Sequence, residues 1–332
     1  MKKYFLSFCL IALSLCACGR SENKLAPETK DNDEVNFTRN LLADGDFSQG
    51  FKLLEPRNDG KRVFCPNIDY NGLADGQPVW EMSQWSSPYN FKDATFSTPN
   101  KGIYEYKNES RSCVIDTNKS EIEINLNSWT EYLTLYGQSR DGSETWSHFL
   151  LEQSFPEPAK VSELKSLYAQ CSFIINKADD LDPGQPIPCA QLTWYFTITD
   201  VRNGDSAYQS GDNTNDFMWF GIPFFDSRYD YLPESKHVDQ GFNGATNKLI
   251  YGMDSRIAFG NQKVEVGKEY KISLDILSYI KSAYLYGISN DALVNSNLTD
   301  LTVNYMNIGW ELPGSFDASI TIKNMAVMVE EK

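Results

Sequence analysis

From about Asn36 onward, the apolar residues of this chain recur with a spacing of two. Ile122, Ile124 and Leu126 alternate with Glu121, Glu123, Asn125 and Asn127. Leu192, Trp194, Phe196 and Ile198 alternate with Thr193, Tyr195, Thr197 and Thr199. The same pattern runs through Tyr270, Ile272, Leu274 and Ile276, and through Ala318, Ile320 and Ile322. An extended backbone points successive side chains to opposite faces, so this period predicts strands with one face buried and one wet. Residues 149–155 and 217–225 are more continuously apolar and predict central strands. Turn pairs punctuate the runs: Asp141-Gly142, Pro183-Gly184, Asn203-Gly204 and Pro313-Gly314. Short helices are expected only at 162–168 and 277–285. No internal repeat and no long linker follows residue 36. The pattern therefore predicts a single all-β domain over 36–332, an antiparallel β-sandwich of jelly-roll type (concanavalin A-like or galactose-binding-like). A division into two sandwiches near residue 120 is the competing reading.

The first residues follow a different rule. Lys2 and Lys3 precede an apolar run over 4–15, which ends in Leu15-Cys16-Ala17-Cys18-Gly19. The run is shorter than the ~20 residues that span a bilayer and has the length of a signal-peptide core. Its ending resembles the bacterial lipobox, in which Leu, a free position and Ala precede a cysteine. The resemblance implies export, cleavage before Cys18, and fatty acylation (palmitate among the chains) of Cys18 as the new first residue. Gly19, rather than Asp, resembles the sorting context for the outer membrane, so the expected location is the bacterial cell envelope. Residues 18–35 are polar and almost free of large apolar groups, which predicts a flexible tether.

Charge narrows the partners. The formal net charge is −15, and cleavage would remove two lysines more. Such a chain repels nucleic acid, and strongly anionic polysaccharides are disfavoured for the same reason. Two histidines leave little for a zinc site built on imidazoles. Of seven cysteines, Cys9 and Cys16 leave with the signal and Cys18 carries lipid. Cys65, Cys113, Cys171 and Cys189 remain. In an oxidising compartment an even number predicts two disulfides, with Cys171–Cys189 and Cys65–Cys113 the favoured pairs among three possible pairings.

Asn40-Leu41-Leu42-Ala43-Asp44-Gly45-Asp46-Phe47-Ser48-Gln49-Gly50 resembles the opening strand of jelly-roll carbohydrate-binding modules. Those modules often close with a strand like 320–329, lying beside the first. The resemblance implies a sandwich fold and a polysaccharide or oligosaccharide ligand. Asp44 and Asp46 are candidate oxygen ligands for a structural calcium, although a plain turn suits Asp-Gly-Asp better. No other cofactor is expected.

Three clusters combine aromatic and polar groups. The densest runs from Asn215 to Tyr231 and offers Asp216, Trp219, Asp226, Arg228, Tyr229 and Tyr231. Sugars require that mixture, flat rings for their C–H faces and bidentate groups for their hydroxyls. The second holds His148, Glu152 and Gln153, with His148 and Glu152 a candidate acid–base pair on one strand face. The third, Tyr305 to Glu311, places Trp310 near a strand end. Laminarinase-type Glu-x-Asp-x-x-Glu, the Gln-Ile-His of β-sandwich alginate lyases, the Gly-x-Ser-x-Gly elbow and the nucleotide fingerprints are all absent from the sequence. Three readings follow: an anchored glycan-binding lipoprotein, a polysaccharide lyase or glycoside hydrolase on the same fold, and an adhesive lipoprotein with a protein partner.

Overall fold

The alternation becomes two eight-stranded sheets in the computed structural model, which describes residues 35–59, 61–142, 144–201, 216–239, 246–293 and 296–332. The signal, Cys18, the tether up to residue 34, the Asn203-Gly204 turn and Asn215 lie outside the described residues. The first sheet runs β14 (Glu269–Asp275), β9 (Leu164–Asp180), β16 (Phe316–Glu331), β7 (Glu121–Asn127), β6 (Arg111–Asp116), β5 (Ile103–Lys107), β4 (Thr95–Asn100). Beside β16 also lies β1 (Arg39–Asn40), paired Arg39 to Val329 and Asn40 to Met328. The second sheet runs β12 (Ser235–Val238), β13 (Leu249–Gly252), β11 (Phe217–Asp226), β10 (Gln191–Asp200), β15 (Leu301–Leu312), β8 (Ser147–Lys160), β3 (Trp80–Ser83), β2 (Phe51–Leu53). Pairing is antiparallel except for β11 with β13 and β2 with β3.

The chain crosses between the sheets repeatedly, β7 to β8 to β9 to β10 and again β14 to β15 to β16. Each sheet therefore takes strands from both sides of residue 120, and Asn36–Lys332 is one compact unit. This is an all-β sandwich of jelly-roll type. Its core is the set of inward positions the alternation predicts. Ile122, Ile124, Leu126, Phe173, Ile320 and Ile322 of the first sheet meet Trp194, Phe196, Met306, Ile308 and Leu312 of the second. Phe173 stacks on Phe224 of the facing sheet with ring centroids 4.4 Å apart.

One predicted helix forms, α3 (Leu277–Ser289), after the short α2 (Ser255–Phe259). The other does not. Residues 161–163 make a single 3₁₀ turn, and β9 begins at Leu164, because Ser166 and Leu167 pair with Glu330 and Val329 of β16. Ladder pairing outweighs a weak local helical pattern there. A helix absent from the sequence-based expectation is α1 (Ser128–Tyr136). It opens where Asn127 caps the Thr130 N–H at 2.9 Å and closes at Gly137, φ 73°. A fully buried ion pair pins α1 to β6, with Arg111 Nη1 3.0 Å from Glu131 Oε1. Ser87 and Ser110 donate to the same oxygen at 2.9 and 2.7 Å. Arg111 Nη2 also donates to the His148 carbonyl at 3.0 Å.

The expected disulfides are not formed, and all four cysteines are free. Cys113 and Cys171 sit on inward positions of β6 and β9, in series with Ile115 and with Ala169 and Phe173, where they pack as small hydrophobes. Cys189 precedes β10 of the other sheet. Cys65 accepts a weak hydrogen bond from Asn90 Nδ2 at 3.4 Å. Burial pushes the thiols of Cys113, Cys171 and Cys189 upward.

Candidate functional site

The outer face of the second sheet carries the polar half of each alternation, and register places its side chains in rows across the strands. One row reads His237, Ile250, Trp219, Thr197, Tyr305, Ser154. The next reads Ser235, Gly252, Gly221, Tyr195, Asn307, Glu152, Glu81. A later row reads Asp226, Gln191, Glu311, His148.

Trp219 and Tyr195 are diagonal neighbours on β11 and β10, a relation that puts their Cβ atoms about 7 Å apart. Both are half-buried. The Tyr195 ring lies against the backbone of Gly221. A Cβ at that glycine would meet the ring's Cε1 at 2.6 Å, so only glycine permits the ring to lie there. Next to this pair, Thr197 Oγ1 and Asn307 Oδ1 are buried polar atoms with no hydrogen-bond partner. Buried polar atoms are almost always paired, so these two orphans beside the two half-buried rings are exceptions on this face.

The β8–β3 side of the face is braced. Glu81 and Glu152 oppose each other on β3 and β8. Arg62 bridges them, with Nη2 2.7 Å from Glu152 and in contact with Glu81. Ser83 and Tyr305 donate their hydroxyls to the two Glu152 oxygens. Burial raises the Glu81 carboxyl above the usual carboxylate range. Burial opposes the Arg62 charge, but the Glu152 and Glu81 carboxylates hold the guanidinium protonated.

The sequence-predicted residues divide. His148 and Glu152 share this face as expected, yet four residues along one strand separate them by about 13 Å. They cannot exchange a proton directly. His148 stacks on Trp146 at 5.8 Å, its Nδ1 is a buried orphan, and burial pushes its pKa down to about 4. Gln153 points inward, 0 % exposed, and clamps Ala43 with both ends of its amide at 2.8 and 3.0 Å. Trp310 is likewise core, on the inward parity of Met306, Ile308 and Leu312. Neither is a ligand contact on this face.

The 215–231 cluster is not one site. Asp216 and Asp226 lie at opposite ends of β11, a ten-residue strand about 33 Å long. Asp216 pairs with Lys248 at 2.9 Å. Asp226 is buried under a two-pronged Arg228 contact at 2.9 and 2.6 Å and accepts from Gln191 at 3.0 Å. Tyr229 and Tyr231 are exposed beyond the strand. Arg228 lies over the Tyr229 ring, and the Tyr231 hydroxyl donates to the Asn261 carbonyl at 2.8 Å. Asp44 and Asp46 form a tight turn in which Ser48 Oγ and the Gln49 N–H bond the Asp44 carboxylate at 3.0 and 3.1 Å. Among the described residues no group of three or more His, Cys, Asp or Glu side chains is placed to hold a metal ion.

Glu81, Arg62 and Tyr195 are absent from the sequence-predicted set. For Tyr195 a signal existed: it is the one aromatic on the threonine parity of its strand. Glu311, opposite His148, is pushed up to about 7 by burial. Its folded form keeps a proton that the unfolded chain loses above the ordinary value of 4.5. The stability this contributes is full below pH 4.5 and is lost as pH rises through 7. Glu311→Gln is therefore expected to leave the thermal midpoint at pH 5 unchanged and to raise it by several degrees at pH 8, read by melts across that range.

No known protein family matches the chain, and no curated protein matches it. Among solved structures it is similar to a family 12 xyloglucanase from Bacillus licheniformis, 13% identical over 74% of this chain and 100% of that one, TM-score 0.44. It is also similar to the endoglucanase cel12A from Rhodothermus marinus, 10% identical over 72% and 96%, TM-score 0.37. A family 11 xylanase from Neocallimastix patriciarum is 6% identical over 75% and 100%, TM-score 0.38. The likeness is one of fold.

Proposed function

We propose that this protein is a lipoprotein, held at a membrane surface through Cys18, whose sandwich binds a neutral glycan across the outer face of its second sheet. The observation that carries the reading is the Trp219–Tyr195 platform with the orphaned Thr197 and Asn307 oxygens beside it. Aromatic faces take the C–H side of a pyranose while amide and hydroxyl groups take its equatorial hydroxyls. The protein's negative charge favours an uncharged chain over an anionic one. Binding without bond cleavage suits the braced carboxylates of β8 and β3. Glu152 already accepts from Ser83, Tyr305 and Arg62, which leaves little of it to attack an anomeric carbon or relay a proton.

Affinity gel electrophoresis against neutral polysaccharides tests this. Retardation by at least one of them is expected, and Trp219→Ala or Tyr195→Ala should weaken it about tenfold or more, as loss of ~1.4 kcal/mol of stacking would. Migration unaffected by every neutral polysaccharide, or by both substitutions, would sink the proposal. Release of reducing ends from any of them would replace it with hydrolysis.

A further inference from the structure

The register of the second sheet places four residues on one oblique line across its outer face. Trp219 on β11, Tyr195 on β10, Gly309 on β15 and His148 on β8 each lie one strand over and two residues along from the one before. Diagonal neighbours of this kind are about 7–8 Å apart, so the line from Trp219 to His148 is roughly 20–25 Å long. We infer that this line is one extended binding track, and that its ligand is a linear neutral glycan long enough to reach from Trp219 to His148. The inference rests on the Trp219–Tyr195 platform and adds to it a second contact at His148 and a required chain length.

Three observations carry it. The first is that the rings share a line and a face. Trp219, Tyr195 and His148 are all half-buried, so solvent reaches each of them on the outward side of the sheet. The position on the line without a ring is a glycine, and it must stay one: a Cβ at Gly309 would meet the Phe149 carbonyl oxygen at 2.2 Å. No side chain on the line therefore stands between Tyr195 and His148. The second is that the arrangement repeats. Tyr195 has Asn307 beside it in its row and His148 has Glu311, both half-buried. A ring with a hydrogen-bonding neighbour, repeated along a line, matches a polymer that repeats a C–H face and its hydroxyls. The third is that the far ring is held and uncharged. His148 stacks on Trp146 at 5.8 Å. Arg140 covers the Trp146 ring at 5.1 Å while donating to the Glu144, Gly142 and Pro313 carbonyls. Burial pushes the His148 pKa down to about 4, so at neutral pH it adds no cation that would select an anionic chain.

The test is isothermal titration calorimetry on the full chain in phospholipid nanodiscs, with linear cello-, manno- and xylo-oligosaccharides from disaccharide to hexasaccharide. In at least one series the affinity should rise about tenfold or more from disaccharide to hexasaccharide, the gain that a further stacked ring supplies. His148→Ala should remove that gain, and His148→Phe, which keeps a ring on the line, should retain it. The gain is a ratio within one variant, so a general weakening of the fold does not mimic its loss. The chain has two histidines, which gives a readout without substitution at the site. Hexasaccharide should shift the His148 imidazole signals in NMR, assigned with His237→Gln, and disaccharide should not. Equal affinity at every length, a gain that survives His148→Ala or is lost in His148→Phe, or an imidazole signal unmoved by hexasaccharide would overturn the track. Each of these leaves the platform reading standing. Binding by no member of any series would end both together.

Discussion

Glu131→Ala is expected to destabilise the sandwich by about 3–5 kcal/mol, the cost of stranding a buried charge. Arg111 and Glu131 have no solvent exposure, and burial already pushes the Arg111 guanidinium downward. Removing the carboxylate leaves that cation facing Phe149, whose ring it covers at 5.4 Å, with the His148 carbonyl as a remaining acceptor. Ser87 and Ser110 lose their acceptor in the same step. Urea unfolding should show a lower midpoint with an unchanged slope. Replacing both partners together, Arg111→Met with Glu131→Leu, should recover most of the loss, because an apolar pair carries no desolvation cost. A single substitution costing under about 1 kcal/mol would show that the pair is solvated in the folded protein.

Cys18→Ala is expected to abolish incorporation of a palmitate analogue almost completely and to leave the signal uncleaved. Each buried methylene contributes about 0.8 kcal/mol, and one chain alone anchors only marginally while two or more hold firmly. Cys18 is the only residue the lipobox resemblance assigns to acylation, and the strongly acidic body offers no polybasic second signal for anionic lipid. The check is labelling with a palmitate analogue. A variant that still takes the palmitate label would end the lipoprotein reading.

The sheets were legible because side-chain parity is a local property. Leu192 to Ile198 faces inward as its alternation requires, and Gln153 lies on the parity of Phe149 and Leu151, inside. Trp310 falls under the same rule: its neighbours Asn307, Gly309 and Glu311 occupy the outer parity. What parity cannot supply is register between distant strands. Glu81 meets Glu152, and Tyr195 meets Gly221, only because particular strands pair at a particular offset. The 215–231 cluster shows the converse. Residues close in sequence on an extended strand are far apart in space, so a dense polar–aromatic segment was spread over both ends of β11. Helix α1 was hidden because Ser128–Tyr136 is rich in Thr, Tyr and Trp, and its start depends on the Asn127 cap. The cysteines misled for a chemical reason: an even count says nothing about whether the side chains sit on core parity, and two of them do.

The pairing of β1 with the end of β16 has a topological consequence. β7 covers β16 from Asp317 to Lys323, and β1 takes over the same flank at Met328 and Val329, so the body begins and ends side by side. Arg39 and Glu331 close the seam with an ion pair at 2.9 Å. A sandwich whose two ends meet is close to a ring. A short peptide joining residue 332 to residue 36 would close it, and the chain could then be opened at the exposed Pro183-Gly184 turn without altering which strands are neighbours.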